Sequence, residues 1–547
     1  MKPLKWIFKN SKKYIPHMIL LSLISAVSSL CYVALALLTR QIIDIATKEI
    51  NGSFVPLFLG LFFVIALEIA FYITRSHLSA HISARLDMQY KNSILDKYID
   101  VSYGELKKYH SGEALNRFTS DIEIVVTGFV KIVPNLVGFA SKILAGIIVL
   151  LIMNSTIGLI CMILGVIILI AGKLVGPVYK KLHKACQKAL GITKGFIQEC
   201  IQNIVVIKTF SNKSSVLSHL DQRTEEQYKL KIKRNWVSVF ISAGLFTVFT
   251  GGYYLALCWG AGSIYYGTIT VGTLMAFLQI ISMIRTPLFN VSGIVPQIFS
   301  TIASAERLIE IETLKPEQKQ LKLDVKKVYN DLKSIKAQNL TFNYEDGKKI
   351  INNSSFKIKK GEIVVISGSS GVGKSTLFRL LLGLYEKTSG KLYLECETDI
   401  DISASSRKLF SYVPQGNLIL SGSIKDNITF GNCGATKEQI ENAARCANIY
   451  DFVSGLPNGF DTYLGEGGAG LSEGQIQRIA IARAIISPAP IILLDECTSA
   501  LDAENEKKIL KNIKELKNKT VLLISHKPAA LEVCDRTLTV NDDGFVV

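Results

Sequence analysis

The sequence lacks closely spaced cysteines. None of its 10 cysteines belongs to a C-x-x-C pair or to a cluster with the spacing of metal ligands, and Cys31, Cys161 and Cys258 stand within apolar stretches. A thiol in such a stretch behaves as a small hydrophobic group. We therefore expect no disulfide framework, which suits a chain whose polar parts lie in a reducing cytoplasm.

Charged residues are also scarce, and acidic ones are scarcer than basic ones. They make up 20% of the chain, below the roughly 25% of an average soluble protein, and the formal net charge is +17. No nucleic-acid-binding motif accompanies this positive charge, so we expect no nucleic-acid partner. Basic loops beside anionic lipid on the cytoplasmic side of a membrane explain the charge instead.

Long apolar stretches, by contrast, fill the first half of the chain. A helix needs about 20 apolar residues to cross a membrane, and six stretches are long enough, at about 16–43, 54–75, 131–153, 155–176, 236–264 and 270–296. The basic segment 1–15, with Trp6, Ile7 and Phe8, predicts an interfacial helix on the cytoplasmic leaflet. No cleavage site accompanies the first stretch, which is too long for a signal peptide, so we expect no cleavable leader.

The connections between these stretches alternate in length. Those at 44–53, 154–155 and 265–270 are short, whereas 76–130 and 177–235 are long, polar and compatible with helices. Their lysines and arginines place both long connections in the cytoplasm, together with the basic N-terminus. The sequence thus predicts an all-α membrane domain over 16–312, with six spans that continue as long cytoplasmic helices.

The pattern changes after a linker at 313–335 that is rich in lysine and glutamate. From 336 to 547, short β-branched runs such as EIVVISG, IILLDE and TVLLISH alternate with helical segments. This alternation is typical of an α/β domain with a mainly parallel sheet.

A phosphate-binding loop, GSSGVGKST, lies between a strand and a helix of this domain. Its glycines let backbone amides turn toward phosphate oxygens, and the helix N-terminus adds a partial positive charge. Lys374 is expected to reach the terminal phosphates and Ser375 to bind Mg²⁺. We predict that ATP with Mg²⁺ binds here, in contact with Gly368, Ser369, Ser370, Gly371, Val372, Gly373, Lys374, Ser375 and Thr376.

The apolar run IILLDE at 491–496 predicts a buried strand that ends in two carboxylates. Asp495 is suited to hold Mg²⁺ through water, and Glu496 is placed to orient and polarise the attacking water. An apolar run before Asp-Glu is a weak signal alone. In the same domain as the phosphate loop, it indicates an ATP hydrolase.

The run LSEGQ at 471–475 resembles the signature of the ATP-binding-cassette transporter family. The remaining family marks stand in the same order along residues 336–547: Tyr344 resembles the aromatic residue that stacks on adenine, Gln415 the Q-loop glutamine, TYLGEGG at 462–468 the exporter loop before the signature, SALD at 499–502 the D-loop, and His526 the switch histidine.

This resemblance implies a mechanism shared by two chains. In such cassettes the phosphate loop of one copy faces the signature of the other, and the residues implied to reach ATP in trans are Leu471, Ser472, Glu473, Gly474, Gln475 and Asp502. The resemblance also implies Glu496 and His526 as catalytic residues, with Ser375, Gln415 and Asp495 around Mg²⁺. Because Glu496 and His526 are both present, we expect a homodimer, with a related half-transporter as the alternative partner.

Some positions depart from the family pattern. Glu473 replaces the usual glycine of the signature, which brings a carboxylate near the phosphate site and is expected to tune turnover. Cys497 replaces the common alanine or proline after Glu496, and Gly467 stands where arginine is often found. The helices that usually close the cassette do not follow His526, and we expect their lack to be tolerated.

Residues 16–312 resemble the six-span membrane domain of exporters. SGEALNRFTSDIEIV at 111–125 resembles the first intracellular loop, whose short helix docks on a cassette, and FIQECIQNIVVIKTF at 196–210 resembles the second. The resemblance implies a multi-pass exporter of the cytoplasmic membrane that works by alternating access, with its cassette in the cytoplasm. The fusion of both halves argues against an importer, and the six spans argue against a cassette ATPase acting on DNA or ribosomes.

Charges within the spans are candidates for a cargo site. Glu68 lies near the middle of the second span, and Lys142 and Arg285 lie in the third and sixth. Such residues face a cavity or form a structural ion pair, here Glu68 with Lys142, and both are equally expected. Tyr253 and Gln279 could add a mixed polar and aromatic wall suited to amphipathic cargo.

A peptide, including a modified antimicrobial one, is the leading cargo. The alternatives are a lipid, a broad set of drugs, or a membrane ATPase sensor that moves no cargo.

Overall fold

A computed structural model describes residues 2–109, 111–317, 323–344, 349–369, 371–416, 419–516, 519–541 and 544–546. The chain divides into two compact units. The first contains Met1–Lys97 and Ser111–Thr313, and the second contains Tyr98–His110 and Leu314–Val547.

Long helices build the first unit. In chain order, the helices up to Thr313 are α1 (Lys2–Asn10), α2 (Ile15–Ala46), α3 (Phe54–Ile99), α4 (Tyr103–Leu106, in the second unit), α5 (Ser111–Asn116), α6 (Ile122–Met153), α7 (Ser155–Gln202), α8 (Ile204–Thr209), α9 (Lys213–Tyr265) and α10 (Val271–Thr313). A 3₁₀ turn at Lys12–Tyr14 precedes α2, and a π-helical segment at Arg117–Asp121 precedes α6.

Five segments of the described chain are long and apolar enough to cross a membrane, namely Lys12–Ala46, Phe54–Ile99, Gly112–Met153, Lys213–Tyr265 and Val271–Leu288. The remaining predicted span, 155–176, falls within α7, but most of its side chains lie outside the described residues. The 46 residues of α3 extend over roughly 69 Å, about twice the thickness of a bilayer core. The long helices predicted beyond the membrane are therefore present.

Helices α2, α6 and α10 pack together as the centre of this unit. Phe277 and Ile280 of α10 are fully buried against α2 and α6. Glycine lets α6 approach α10 closely, because an added Cβ at Gly128 would lie 2.0 Å from Thr301 Oγ1 and one at Gly146 would lie 2.8 Å from Ile284 Cγ1. Such close contacts hold membrane helices together in the absence of a hydrophobic driving force between them.

Charged groups join the π-helical segment to the end of α10. The buried Asp121 accepts hydrogen bonds from Ser304 Oγ (2.9 Å) and from Arg307 Nε (2.8 Å) and Nη2 (2.5 Å). Arg117, which is 4% exposed, donates to Glu310 Oε2 at 2.8 Å and to the carbonyl oxygen of Arg307 at 2.7 Å. This network ties the start of the third span to the exit of the sixth.

Replacing Asp121 by alanine is expected to destabilise the first unit. Loss of one partner of a buried ion pair costs up to several kcal/mol, and because Arg307 is 44% exposed, we expect about 2 kcal/mol. Thermal unfolding in detergent would measure the loss. The control is Asp87→Ala, which removes a more exposed i,i+4 pair with Lys91 and should cost about 0.5 kcal/mol or less. Equal losses in both variants would contradict a special role of Asp121.

The second unit is an α/β domain. Its strands are β1 (Ser334–Asn343), β2 (Lys349–Lys359), β3 (Ile363–Gly368), β4 (Ser389–Glu395), β5 (Ile400–Asp401), β6 (Phe410–Val413), β7 (Gly422–Ser423), β8 (Tyr463–Leu464), β9 (Ile491–Asp495), β10 (Thr520–Ile524), β11 (Arg536–Asn541) and β12 (Gly544–Val546). Its helices after α4 are α11 (Val325–Asp331), α12 (Lys374–Leu381), α13 (Ile424–Thr429), α14 (Lys437–Cys446), α15 (Tyr450–Ser454), α16 (Glu473–Ile486), α17 (Ala503–Lys514) and α18 (Pro528–Val533), with 3₁₀ turns at Ala404–Leu409, Gly459–Asp461 and Glu466–Gly468.

Two main sheets organise this unit. A six-stranded sheet has the order β12-β11-β3-β10-β9-β6 and is parallel except for β12, while an antiparallel sheet has the order β2-β1-β4-β5. Side chains alternate between the faces of β3. Val364 and Ile366 face a core shared with the antiparallel sheet, whereas Val365 faces the core under α13–α17. The predicted mainly parallel α/β fold is confirmed.

Two segments belong to the second unit although the sequence suggested otherwise. Helix α11 lies within the segment predicted as a linker, yet Tyr329 is buried and its hydroxyl lies 3.1 Å from Thr520 Oγ1. Helix α4 carries Tyr103, whose ring packs edge-on at 5.5 Å from that of Tyr385. Helix α5 (Ser111–Asn116), which opens the stretch 111–125 predicted to contain a docking helix, is part of the first unit, and its docking stays a prediction.

Candidate functional site

The phosphate loop connects β3 to α12. Gly368, Gly371 and Gly373 have φ angles of +151°, +83° and +109°, a region that glycine occupies without strain. The loop thereby reaches the N-terminus of α12, where backbone N–H groups can bind an anion. Val372 packs against the core of the unit, and the predicted contact Ser370 lies outside the described residues.

Lys374 and Ser375 open α12 and point to different parts of the site. The buried Lys374 donates through Nζ to the carbonyl oxygens of Gly368 at 2.6 Å and Ser369 at 2.9 Å, so its ammonium group lies over the loop. Ser375 Oγ donates instead to Asp495 Oδ1 at 3.0 Å. The structure therefore brings the loop and the end of β9 together, as the sequence predicted.

Asp495 is almost fully buried at the end of β9, with 1% of its surface exposed. Its second carboxylate oxygen accepts a hydrogen bond from Tyr412 Oη at 3.1 Å. Burial raises the pKa of Asp495, and the hydrogen bonds from Ser375 and Tyr412 lower it in part. Burial also raises the pKa of Tyr412, and the negative charge of Asp495 adds to that rise, so Tyr412 is a neutral donor.

This donor set fits a magnesium ion. The hydroxyl of Ser375, the carboxylate of Asp495 and the amide oxygen of Gln415 are oxygen ligands, which Mg²⁺ prefers over nitrogen or sulfur. Within the described ranges, no group of three or more His, Cys, Asp or Glu side chains forms a separate metal centre. A partial shell of this kind suits an ion that also binds phosphate oxygens and water.

Glu496 and His526 follow neighbouring parallel strands, β9 and β10. The backbone of Glu496 is in the left-handed region, with φ at +47°, and its N–H donates to the carbonyl oxygen of Ile524 at 3.1 Å. Its carboxylate accepts from Gln415 Nε2 at 2.6 Å. His526 is exposed just beyond β10. An unusual backbone conformation of a residue other than glycine is frequent at functional sites.

Aromatic rings surround Tyr344. Its ring lies edge-on to Phe342 at 5.0 Å and to Tyr385 at 5.5 Å, and Lys107 Nζ lies 5.0 Å from its centroid. Its hydroxyl is 3.0 Å from Thr376 Oγ1, beside the phosphate loop. The three rings line a cavity of about 760 Å³. The described lining of this cavity includes no residue of the phosphate loop at 368–376, so the rings meet the loop through the Tyr344–Thr376 contact.

The signature residues 471–475 form the N-terminal end of helix α16. Ser472 is the N-cap, and a reciprocal capping box links it to Gln475, with Ser472 Oγ accepting from the Gln475 N–H at 3.3 Å. Glu473 is exposed in the first turn and Gly474 is half-buried, while Leu471 packs against the core. A well-formed N-terminus with a serine hydroxyl suits an anionic ligand.

Residues 499–502, which lie between strand β9 and helix α17, are hydrogen-bonded to helix α16. Gln477 of α16 donates through Nε2 to Ser499 Oγ at 3.1 Å and accepts from the Ala500 N–H at 3.2 Å. Asp502 caps α17 by accepting from the Asn505 N–H at 3.3 Å, and the hydrogen bonds from Asn505 lower the pKa of Asp502. Two hydrogen bonds of Gln477 therefore join the signature helix to the segment 499–502.

The charged residues of the spans lie beside hydroxyl and aromatic side chains. Glu68 accepts a hydrogen bond from Ser28 Oγ at 2.8 Å, and Lys142 Nζ lies 4.0 Å from the ring centroid of Tyr32. The guanidinium carbon of Arg285 lies 5.5 Å from the ring of Phe246. The structure thus places Tyr32 beside both Lys142 and Glu68, and the charge of Glu68 also acts on Lys142.

A cavity of about 620 Å³ lies between α2, α3, α9 and α10 of the first unit. Its described lining is mostly apolar and includes the expected Tyr253 and Gln279, along with Tyr32, Thr39 and Ser282. The described lining does not include the three charges singled out from the sequence, although Lys142 lies over the ring of the lining residue Tyr32.

Sequence reasoning missed three side chains that shape these sites. Tyr412 stands in LFSYVP, where it looks like a core residue. Gln477 stands in a helical run, and Lys107 stands among other lysines of a polar connection. Their partners lie far along the chain, so no local signal marks them. The nearest clue was the position of Tyr412 and Gln477 close to the motif residues Gln415 and Gln475.

Both halves of the chain match known families. The model of the ABC transporter transmembrane region matches residues 18–288, and the ABC transporter model matches residues 351–499. An ATP-dependent lipid A-core flippase of Desulfotalea psychrophila is 31% identical over 441 residues, which are 80% of this chain and 76% of the relative. ABC transporter B family member 1 of Dictyostelium discoideum is 30% identical, over 82% of this chain and 50% of the relative.

A solved structure shares the whole fold. The structure of a bacterial Atm1-family ABC exporter with ATP bound matches 98% of this chain and 94% of its own, with a TM-score of 0.80 and 22% sequence identity. At that identity, the match supports the arrangement of helices and strands and says nothing of cargo.

Proposed function

The chain belongs to the ATP-binding-cassette transporter family as an exporter-type half-transporter, and we propose that it exports an amphipathic, lipid-like cargo as a homodimer. It is a multi-pass protein of the cytoplasmic membrane that couples ATP hydrolysis to export. The observation that carries the ATP-driven part is the joining of the phosphate loop, Asp495 and Glu496 in one site.

In the proposed reaction, each cassette binds ATP through Lys374 and the backbone of the phosphate loop. The ring of Tyr344 supports adenine, and Ser375, Gln415 and Asp495 would hold Mg²⁺. When bound, Mg²⁺ would neutralise charge on the phosphate oxygens. Glu496 orients and polarises the attacking water, and His526, just beyond the neighbouring strand β10, contacts the terminal phosphate.

A second copy completes each ATP site in this proposal. Ser472, Glu473 and Gly474 belong to the start of α16, whose N–H groups and N-cap hydroxyl suit a phosphate. Dimers are the working form of half-transporters of this type. Because this chain has both Glu496 and His526, two identical copies would make two competent sites, which favours a homodimer over a pair of different chains.

The cavity of the first unit supports an amphipathic cargo. Leu35, Ile65 and Leu278 offer it an apolar surface, and Thr39 and Gln279 offer hydrogen-bonding groups. Ligand pockets that combine much apolar surface with a few polar groups select amphipathic molecules. A relative is named a lipid A-core flippase, so we place a lipid before the peptide that the sequence favoured. A sensor that hydrolyses ATP without moving cargo is the remaining alternative.

The cargo assignment can be tested with the purified dimer in nanodiscs. We expect amphipathic lipids to raise the ATPase rate several-fold and to compete with one another. Filling the cavity with Ser282→Trp should remove this stimulation and leave the basal rate. The control Cys258→Trp adds the same ring at an exposed position outside the described cavity lining, and it should keep the stimulation.

Other outcomes would change the assignment. Stimulation by peptides alone would support a peptide exporter. Stimulation by many unrelated hydrophobic compounds would indicate a multidrug exporter. A basal rate that no compound changes, with no transport into vesicles, would indicate the sensor.

A further inference from the structure

Lys527 directly follows His526 and reaches back to the segment 499–502. Its Nζ donates to the carbonyl oxygen of Thr498 at 2.6 Å and to that of Leu501 at 3.1 Å, and it lies 3.3 Å from Glu506 Oε2. An ammonium group has three N–H donors and no acceptor. The ammonium group of Lys527 thus makes two hydrogen bonds and one ion pair, and the hydrogen bonds hold the carbonyl groups of Thr498, just before the segment 499–502 that resembles the D-loop, and of Leu501 within it.

Glu506 is the buried counterpart of this lysine. Its side chain is 2% exposed, and its other oxygen accepts a hydrogen bond from Thr498 Oγ1 at 2.8 Å. Thr498 is itself 2% exposed. A buried carboxylate is tolerated only when it is paired and hydrogen-bonded. Glu506 thus holds both the Lys527 ammonium group and the threonine that precedes the segment.

The same lysine also constrains the backbone at His526. The Lys527 N–H donates to Ser525 Oγ at 3.1 Å, and Ser525 is 4% exposed. His526 therefore stands between two anchored residues while its own side chain remains exposed. The Lys527–Glu506 pair, in which Glu506 is buried and Lys527 is 34% exposed, therefore contacts both the residues around His526 and the segment 499–502.

We propose that Lys527 and Glu506 are positioning residues that hold His526 and the segment 499–502 in one mutual arrangement. His526 serves the ATP site of its own chain, whereas Asp502 serves the site completed by the second copy. The pair would therefore link the two ATP sites of the dimer. This inference rests on the roles proposed above for His526 and Asp502.

If the Lys527–Glu506 pair only stabilised the fold, it would need fewer of its contacts. Stability requires only that the carboxylate and the ammonium group neutralise each other, and an apolar pair of similar volume often serves that purpose as well. Positioning requires the two donated hydrogen bonds to Thr498 and Leu501 as well. The two roles can be separated by removing both charges together.

The test compares Lys527→Met with the double variant Lys527→Met and Glu506→Met in nanodiscs. We expect Lys527→Met to lower kcat for ATP roughly 10- to 100-fold, because a misplacement of about 1 Å costs that much, and to change KM less than about twofold. The double variant should regain the thermal stability of the wild type and keep the low kcat. Lys507→Met is the matched control, since it removes an exposed pair between Lys507 of α17 and Glu532 of α18, and it should keep kcat.

Recovery of kcat in the double variant would overturn the proposal, because the pair would then act on stability alone. A fall in kcat of the same size in Lys507→Met would also overturn it. Should Lys527→Met fail to fold, the double variant decides by itself. Glu496→Gln tests the proposed ATP site separately from the positioning role of Lys527. Turnover that survives this substitution contradicts the ATP site, whatever the effect of Lys527→Met.

Discussion

Replacing Glu496 by glutamine is expected to lower ATP turnover by roughly three orders of magnitude while ATP still binds. Loss of a general base typically costs a factor of about 10² to 10⁴. Glutamine keeps the shape of the side chain but cannot accept a proton from the attacking water. The backbone of Glu496 is held by strand β10 through Ile524, so the substituted residue should stay in place.

Phosphate release and nucleotide binding would be measured on the same preparation. The control is Glu504→Gln, an exposed carboxylate in the same domain that pairs with Lys508, and its turnover should equal that of the wild type. We expect the Glu496→Gln dimer to stay closed around ATP, because hydrolysis no longer opens it. Normal turnover in Glu496→Gln would contradict the assignment of Glu496 as the base.

Replacing Gly373 by alanine is expected to weaken ATP binding roughly 100-fold. The φ angle of +109° is unfavourable for alanine. The new Cβ would also lie 2.7 Å from Ile350 Cγ2 and 3.1 Å from the Ile350 carbonyl oxygen. Gly373 is the N-cap of α12, so any relief of this clash shifts Lys374 and Ser375, and a shift of about 1 Å costs about this factor.

Gly371→Ala is the matched control. Its φ angle is +83°, so it carries a similar backbone strain, but no described atom lies within 4 Å of its added Cβ. We expect a loss of ATP affinity of about tenfold or less, as strain of about 1–2 kcal/mol implies. Titration of a fluorescent ATP analogue would measure both variants. Equal losses would show that the contact with Ile350 has no part in shaping the loop.

The phosphate loop and the end of β9 were predictable because their chemistry is local. GSSGVGKST contains its own turn, ammonium group and hydroxyl, and IILLDE contains both the strand and its carboxylates. The membrane spans were predictable for a similar reason, since a helix crosses a bilayer by its own length and apolarity. In each case one continuous stretch of residues carries the whole signal.

The contacts of the charged residues in the spans could not be predicted from the sequence. Glu68 and Lys142 are visible in the sequence as charges in apolar spans, yet Glu68 binds Ser28 and Lys142 lies over Tyr32. Which helix face turns toward a cavity depends on how four helices pack, and a span that is apolar on all sides does not reveal it.

Sequence alone was sufficient for the family, the two-part architecture, the ATP-binding motifs and the need for a second copy, because short continuous stretches encode them. Tertiary structure decided the rest. It joined Asp121 to Arg307 across 186 positions, placed Lys107 beside Tyr344, and put Lys527 against Thr498 and Glu506. Contacts between residues distant in the chain depend on packing, since a buried charge reveals its partner only after folding has brought the two together.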